Sequence, residues 1–152
     1  MSAENAAPSQ ELRSKAIWNP NATANWSVLF TPAFGSYLQM LNWRALDEPK
    51  RAEGSKRWFY ASIAMLAAYV LIALFADESS SDGSAKVFGF FFLVAWYGIS
   101  GRAQSEFVKS RYGTAYPRQP WGKTLLWAVG ALFGYVIISV LIGLIVGAAR
   151  GT

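Results

Sequence analysis

Along the chain, polar stretches alternate with four long segments that carry no charge. The clearest is Trp58 to Ala76, WFYASIAMLAAYVLIALFA, nineteen residues that match the ~30 Å of a hydrocarbon core at ~1.5 Å per helical residue. Lys56 and Arg57, followed directly by Trp58, Phe59 and Tyr60, are the residue types that settle at a headgroup boundary. A second run, Thr124 to Ala149, is also free of charge, with Trp121 and Lys123 at one end and Arg150 at the other. Between them, Val87 to Gly101 (VFGFFFLVAWYGISG) is bounded by Lys86 and Arg102. It is short for a crossing, but flanking Lys and Arg side chains snorkel and a helix can extend by a turn at each end.

The first segment, Ala16 to Trp43, is diluted by Asn19, Asn21, Asn25, Thr31, Pro32, Gly35, Ser36, Gln39 and Asn42. Two readings stand. In one, Asn25 caps a helix that kinks near Pro32, runs to about Leu46 and crosses the membrane. In the other, Thr31 caps a shorter helix with Pro32 at its first position. Phe34, Tyr37, Leu38, Leu41 and Ala45 then form one apolar stripe lying in the interface. The pattern therefore predicts an all-α membrane protein. A polar tail over 1–18 precedes a transmembrane domain over 19–152, with spans at about 25–46, 58–76, 85–103 and 123–149. That is a bundle of four transmembrane helices, or three plus an interfacial helix.

Charge supplies the orientation. Arg44, Lys50, Arg51, Lys56 and Arg57 fall in one connecting stretch, and Arg102, Lys109, Arg111, Arg118 and Lys123 in another, ten of the fourteen basic residues. Both lie on one side if the spans at 58–76 and 85–103 cross, and the positive-inside rule makes that side cytoplasmic. Asp77, Glu78 and Asp82 then face the other way, as does the C-terminus. In these stretches Lys50, Arg51, Lys56, Arg57, Lys109, Arg111, Arg118 and Lys123 are positioned to contact anionic lipid. Aromatic residues interleaved with the second group (Phe107, Tyr112, Tyr116, Trp121) would suit nucleic acid, but the nearer anion is the headgroup layer, so no nucleic-acid partner is expected.

Composition narrows the chemistry. The chain is 53% hydrophobic and only 15% charged, against the ~25% usual for globular domains. It has neither Cys nor His, which removes thiol nucleophiles, imidazole bases and the common soft-metal ligands. No ionisable residue interrupts the four segments, so the usual mark of a proton relay is missing. Asp47, Glu48 and Glu53 alternate with basic residues and read as a solvated juxtamembrane stretch. No catalytic residue, cofactor or metal site is expected. The first fifteen residues lack the compact apolar run of a signal peptide.

The last run has Gly130 with Gly134 and Gly143 with Gly147, at the spacing that lets helices approach closely, and Ser139 on the Gly143 side. The pairs point to nearly opposite faces, suiting a membrane-protein partner, a homo-oligomer or packing within the bundle. Ala64 and Ala68 share the spacing and suit packing within the chain.

The stretch Asn25 to Leu46, with Pro32-Ala33-Phe34-Gly35 followed by Asn42, Trp43, Arg44 and Leu46, resembles the first helix of a loose group of uncharacterised small bacterial inner-membrane proteins. In that group the Leu is usually followed by Gly, where this chain has Asp47. The resemblance implies a spanning first helix and a bacterial source, and carries no activity. The expectation is a non-enzymatic, multi-pass protein of the bacterial inner membrane that binds a partner protein, as an immunity protein or accessory subunit does. The alternative is an oligomeric channel or transporter component.

Overall fold

The structure, a computed structural model, describes residues 15–75 and 78–151. Apart from an isolated bridge, its described residues form helices joined by short turns. The first two are α1 (Pro20–Phe30) and α2 (Pro32–Ala45). Asn19 caps α1, its side chain accepting from the Asn21 amide at 3.1 Å with Pro20 at the first helical position. The cap thus lies six residues before Asn25, the expected one. It ends at Thr31, whose φ of 87° and ψ of 157° lie in a region almost reserved for glycine. Pro32, with no amide hydrogen to lose, opens α2.

The break at Thr31 reverses the chain. Beyond the far end of α1, the Trp18 amide donates to Asn42 Oδ1 at 2.9 Å, and Asn42 Nδ2 returns a bond of 2.9 Å to the Trp18 carbonyl near the end of α2. The segment expected to be one kinked spanning helix over 25–46 is instead an antiparallel hairpin. Its arms are about 16 and 21 Å long at the usual helical rise, each well short of a hydrocarbon core. Gly35 permits the fold-back: a Cβ there would collide with Ser27 Oγ on the opposite arm and come within 2.7 Å of the Trp96 ring.

At the end of α2 the Glu48 amide bonds the Trp43 carbonyl at 2.9 Å and the Asp47 amide bonds Arg44 at 3.2 Å, a Schellman stop. Asp47 takes φ 57°, the left-handed conformation that glycine usually supplies and Asp tolerates. The next helix, α3 (Pro49–Phe75), packs against α2 and runs on beyond it. α4 (Glu78–Trp96) continues through a π-helical turn, Tyr97–Gly101, into α5 (Arg102–Tyr112). Residues 102–112, expected as loop, are therefore helical. α6 (Gly122–Arg150) nearly coincides with the expected span at 123–149.

Among the described residues two helices, α3 and α6, are long and apolar enough to cross a membrane; only 6% and 0% of their most apolar windows are buried within the chain. Buried core helices of water-soluble domains have the opposite distribution. A four-span bundle is not what the described residues form. The main hydrophobic core lies at the basic end, where Ile17, Met40, Trp43, Leu46, Ala52 and Val108 cluster. Ile17 is pinned by bonds to the Pro117 carbonyl (3.1 Å) and from the Gln119 amide (2.9 Å), so residues 15–18 are docked rather than part of a loose tail; 1–14 lie outside the described residues.

Candidate functional site

Three features could carry function: a polar seam inside the hairpin, a ring of basic residues at one end, and an apolar cavity beside α6. The seam follows from helix periodicity. Ser36, Gln39 and Asn42 recur every three residues on one face of α2, opposite the apolar stripe. They meet Trp96, Ser100 and Gln104, spaced by four along the helix that holds the π-turn. Trp96 Nε1 donates to Ser36 Oγ at 2.7 Å, Ser100 Oγ donates to Gln39 Oε1 at 2.8 Å and Gln39 Nε2 donates to the Ser100 carbonyl at 3.1 Å. Asn42 Nδ2 donates to Gln104 Oε1 at 2.9 Å, while Gln104 Nε2 donates to the Gln39 carbonyl at 3.0 Å. The π-turn frees the Ser100 carbonyl for a side-chain donor, as insertions in a helical ladder do.

Ser36, Gln39, Asn42, Trp96 and Gln104 are all fully buried, and every described buried side-chain polar atom has a hydrogen-bond partner. The seam is therefore a buried network in which each polar side-chain atom has at least one protein partner, and its chemistry is structural. None of these residues is a sequence-expected site residue. Their repeat was visible as Ser36, Gln39 and Asn42 on one face, but not what that face would meet.

At the basic end the two charge-rich stretches come together. Glu48 pairs with Arg51 at 3.5 Å and with Arg111 at 3.6 Å, bridging them. The Arg51 guanidinium stacks over Phe107 at 4.5 Å and Trp43 at 5.1 Å, and Arg111 lies over Phe107 at 5.6 Å. Arg118 stacks on Tyr116 at 5.4 Å and Lys56 pairs with Glu53 at 3.5 Å. Lys50, Arg57, Lys109 and Lys123 project as exposed side chains. Of the eight residues expected to contact anionic lipid, Arg51, Lys56, Arg111 and Arg118 thus also make contacts within the protein. Burial pushes the Tyr112 phenol up from its ordinary value, opposed by Arg111 and reinforced by Glu48; burial likewise raises Tyr116 against the effect of Arg118.

The cavity has a volume of about 760 Å³ and lies between the hairpin, α3 and α6. Phe34, Tyr37, Leu38 and Leu41, four of the five residues of the expected apolar stripe, form its hairpin wall; Phe59, Ile63 and Leu66 come from α3, and Trp127, Ala128, Ala131 and Leu132 from α6. Trp127 is 78% exposed and Tyr37 45%, so the cavity is open to the surroundings along one side. Two polar pairs lie in its walls: Trp18 Nε1 donates to Thr124 Oγ1 at 3.0 Å, and the Tyr135 hydroxyl donates to the Leu66 carbonyl at 3.1 Å.

α6 itself has a single buried residue, Ala128. It is tied to the rest through Thr124, Tyr135 and Arg150, whose guanidinium donates to the Leu74 carbonyl at 2.7 Å. A Cβ added at Gly130, Gly134 or Gly143 would meet nothing, so these glycines serve no close approach within the chain. Ser139 turns back to the Tyr135 carbonyl at 2.8 Å. Ala64 and Ala68 are exposed too, which corrects the expectation that they pack within the chain. The glycines that do meet neighbours closely, Gly35 and Gly89 (against the Tyr69 hydroxyl), were not singled out, because neither belongs to a spaced pair. No known family model, curated protein or solved structure matches the chain.

Proposed function

We propose that this chain is a non-enzymatic, multi-pass protein of a bacterial inner membrane that works by binding a second membrane protein along α6. Three helices, α3, α4 and α6, would cross the bilayer. The α1–α2 hairpin would enter from the basic, cytoplasmic side and return to it. The unburied apolar windows of α3 and α6 support lipid exposure, as do the exposed Phe88, Phe90, Phe91 and Val94 of α4. The shared Glu48 contact of Arg51 and Arg111 supports placing both basic stretches on one side. Non-helical backbone at membrane depth is tolerated where protein buries it, and the seam provides that cover for the π-turn, where Gln39 bonds Ser100.

The observation that carries the partner reading is the open space over Gly130, Gly134 and Gly143. In lipid, where apolar burial drives no association, bare glycine backbone is what lets another helix come close. An immunity protein or an accessory subunit would use such a face. The channel reading loses support because the polar side chains that could line a pore satisfy one another.

A photo-crosslinking side chain placed at the exposed Phe133 tests this in native membranes. The expected result is one discrete adduct that Gly130→Leu or Gly143→Leu abolishes while helix content is retained. An adduct of twice the chain mass would identify a second copy as the partner. An adduct unchanged by both substitutions would refute the packing face.

A further inference from the structure

We infer that the cavity between the hairpin, α3 and α6 holds one acyl chain of an anionic glycerophospholipid from the leaflet at the basic end. Its volume, about 760 Å³, falls within the range of small-ligand sites. The occupant must be apolar over most of its length, because the walls are mostly apolar side chains and two of their polar pairs are already bonded: Trp18 to Thr124, and Tyr135 to the Leu66 carbonyl. The open side and the exposed Trp127 and Tyr37 at its edge give a route from surrounding lipid rather than from water.

The headgroup follows from charge. Each of the three walls carries a basic residue one helical turn beyond the cavity, in every case toward the same end. Arg44 follows Leu41 on α2, Lys56 precedes Phe59 on α3, and Lys123 precedes Trp127 on α6. Arg44 and Lys123 are exposed, whereas Lys56 shares its charge with Glu53 across a solvent-exposed pair of little strength. Three cations, one just beyond each wall at the same end of an apolar slot, complement a phosphodiester with its chain inserted. The inference rests on the membrane setting proposed above and not on the partner. It stands or falls separately from the glycine face.

The full chain reconstituted in vesicles of phosphatidylcholine and phosphatidylglycerol in equal parts, extracted in mild detergent and washed, would be assayed for retained lipid by mass spectrometry. Wild type should keep a single phosphatidylglycerol per chain. Ala131→Trp, which places a ring in the cavity from an exposed position, should abolish retention of either lipid. Arg44→Gln with Lys123→Gln should lower the preference for phosphatidylglycerol roughly tenfold or more, from the usual contribution of a basic residue at an anionic surface. Lys50→Gln with Lys109→Gln, equal in charge but away from the cavity mouth, should leave the preference unchanged. Equal retention of both lipids by wild type, no loss in Ala131→Trp, or the same loss in both double variants would each overturn the assignment. Should Ala131→Trp fail to fold, the paired double variants still decide it.

Discussion

The α1–α2 hairpin and α6 are built on opposite plans. The hairpin breaks its backbone at Thr31, packs against a helix broken by a π-turn, and is held by side-chain hydrogen bonds in a seam whose buried polar atoms all have partners. α6 is 29 residues of unbroken ladder, buries one residue and carries Gly130, Gly134 and Gly143 in open space. An unbroken helix satisfies its own backbone and can face lipid without help, whereas a reversed one must be covered by protein. Close approach is consumed inside the hairpin and left unused on α6, so glycine means different things in the two regions.

Glycine substitutions should separate them most sharply. Gly35→Ala places a Cβ against Ser27 Oγ and the Trp96 ring, so unfolding in detergent micelles, followed by circular dichroism, should show a loss of about 3 kcal/mol. No loss there would mean the arms are not in contact. Removing one member of the seam should cost less. Gln104→Leu deletes the bonds to Asn42 and to the Gln39 carbonyl and leaves one buried Asn42 N–H without its acceptor, a loss of roughly 2 kcal/mol in the same measurement. Thr31→Gly should reverse the sign. Thr31 makes no capping bond, so glycine relieves the backbone at φ 87° and should stabilise by about 1 kcal/mol. Gly130→Leu and Gly143→Leu should change stability least, by under about 0.5 kcal/mol, because nothing in the chain meets them.

What could be read from the residues follows the same division. The bounds of α6 differ from the expected span at 123–149 by a residue at each end, because a charge-free stretch of that length has one way to satisfy its backbone. α3 was legible from Trp58 onward. Its first turns, from Pro49, carry Lys50, Arg51, Glu53, Lys56 and Arg57 and bury only Ala52 and Ser55, so hydropathy did not mark them as helix. The hairpin was not legible. Pro32 serves equally as a kink or a first helical residue, and the reversal hinges on a Thr in a glycine-like conformation. What distinguishes a hairpin from a span is a pair of bonds between Trp18 and Asn42, residues 24 apart. The apolar stripe of α2 was seen, but not that four of its residues would wall a cavity with α3 and α6. The paired glycines of α6 advertised a spacing the chain itself does not use, while Gly35 acts alone.

The account turns on the hairpin beginning and ending on one side of the membrane. The chain has no native Cys, so single cysteines can be introduced cleanly and labelled from either face in sealed vesicles of known orientation. Lys15→Cys, before α1, and Gly54→Cys, after α2, should react from the same cytoplasmic face, and Gly83→Cys, between α3 and the π-turn, from the opposite one. Labelling of Lys15→Cys and Gly54→Cys from opposite faces would mean that the first segment spans, and would contradict the hairpin.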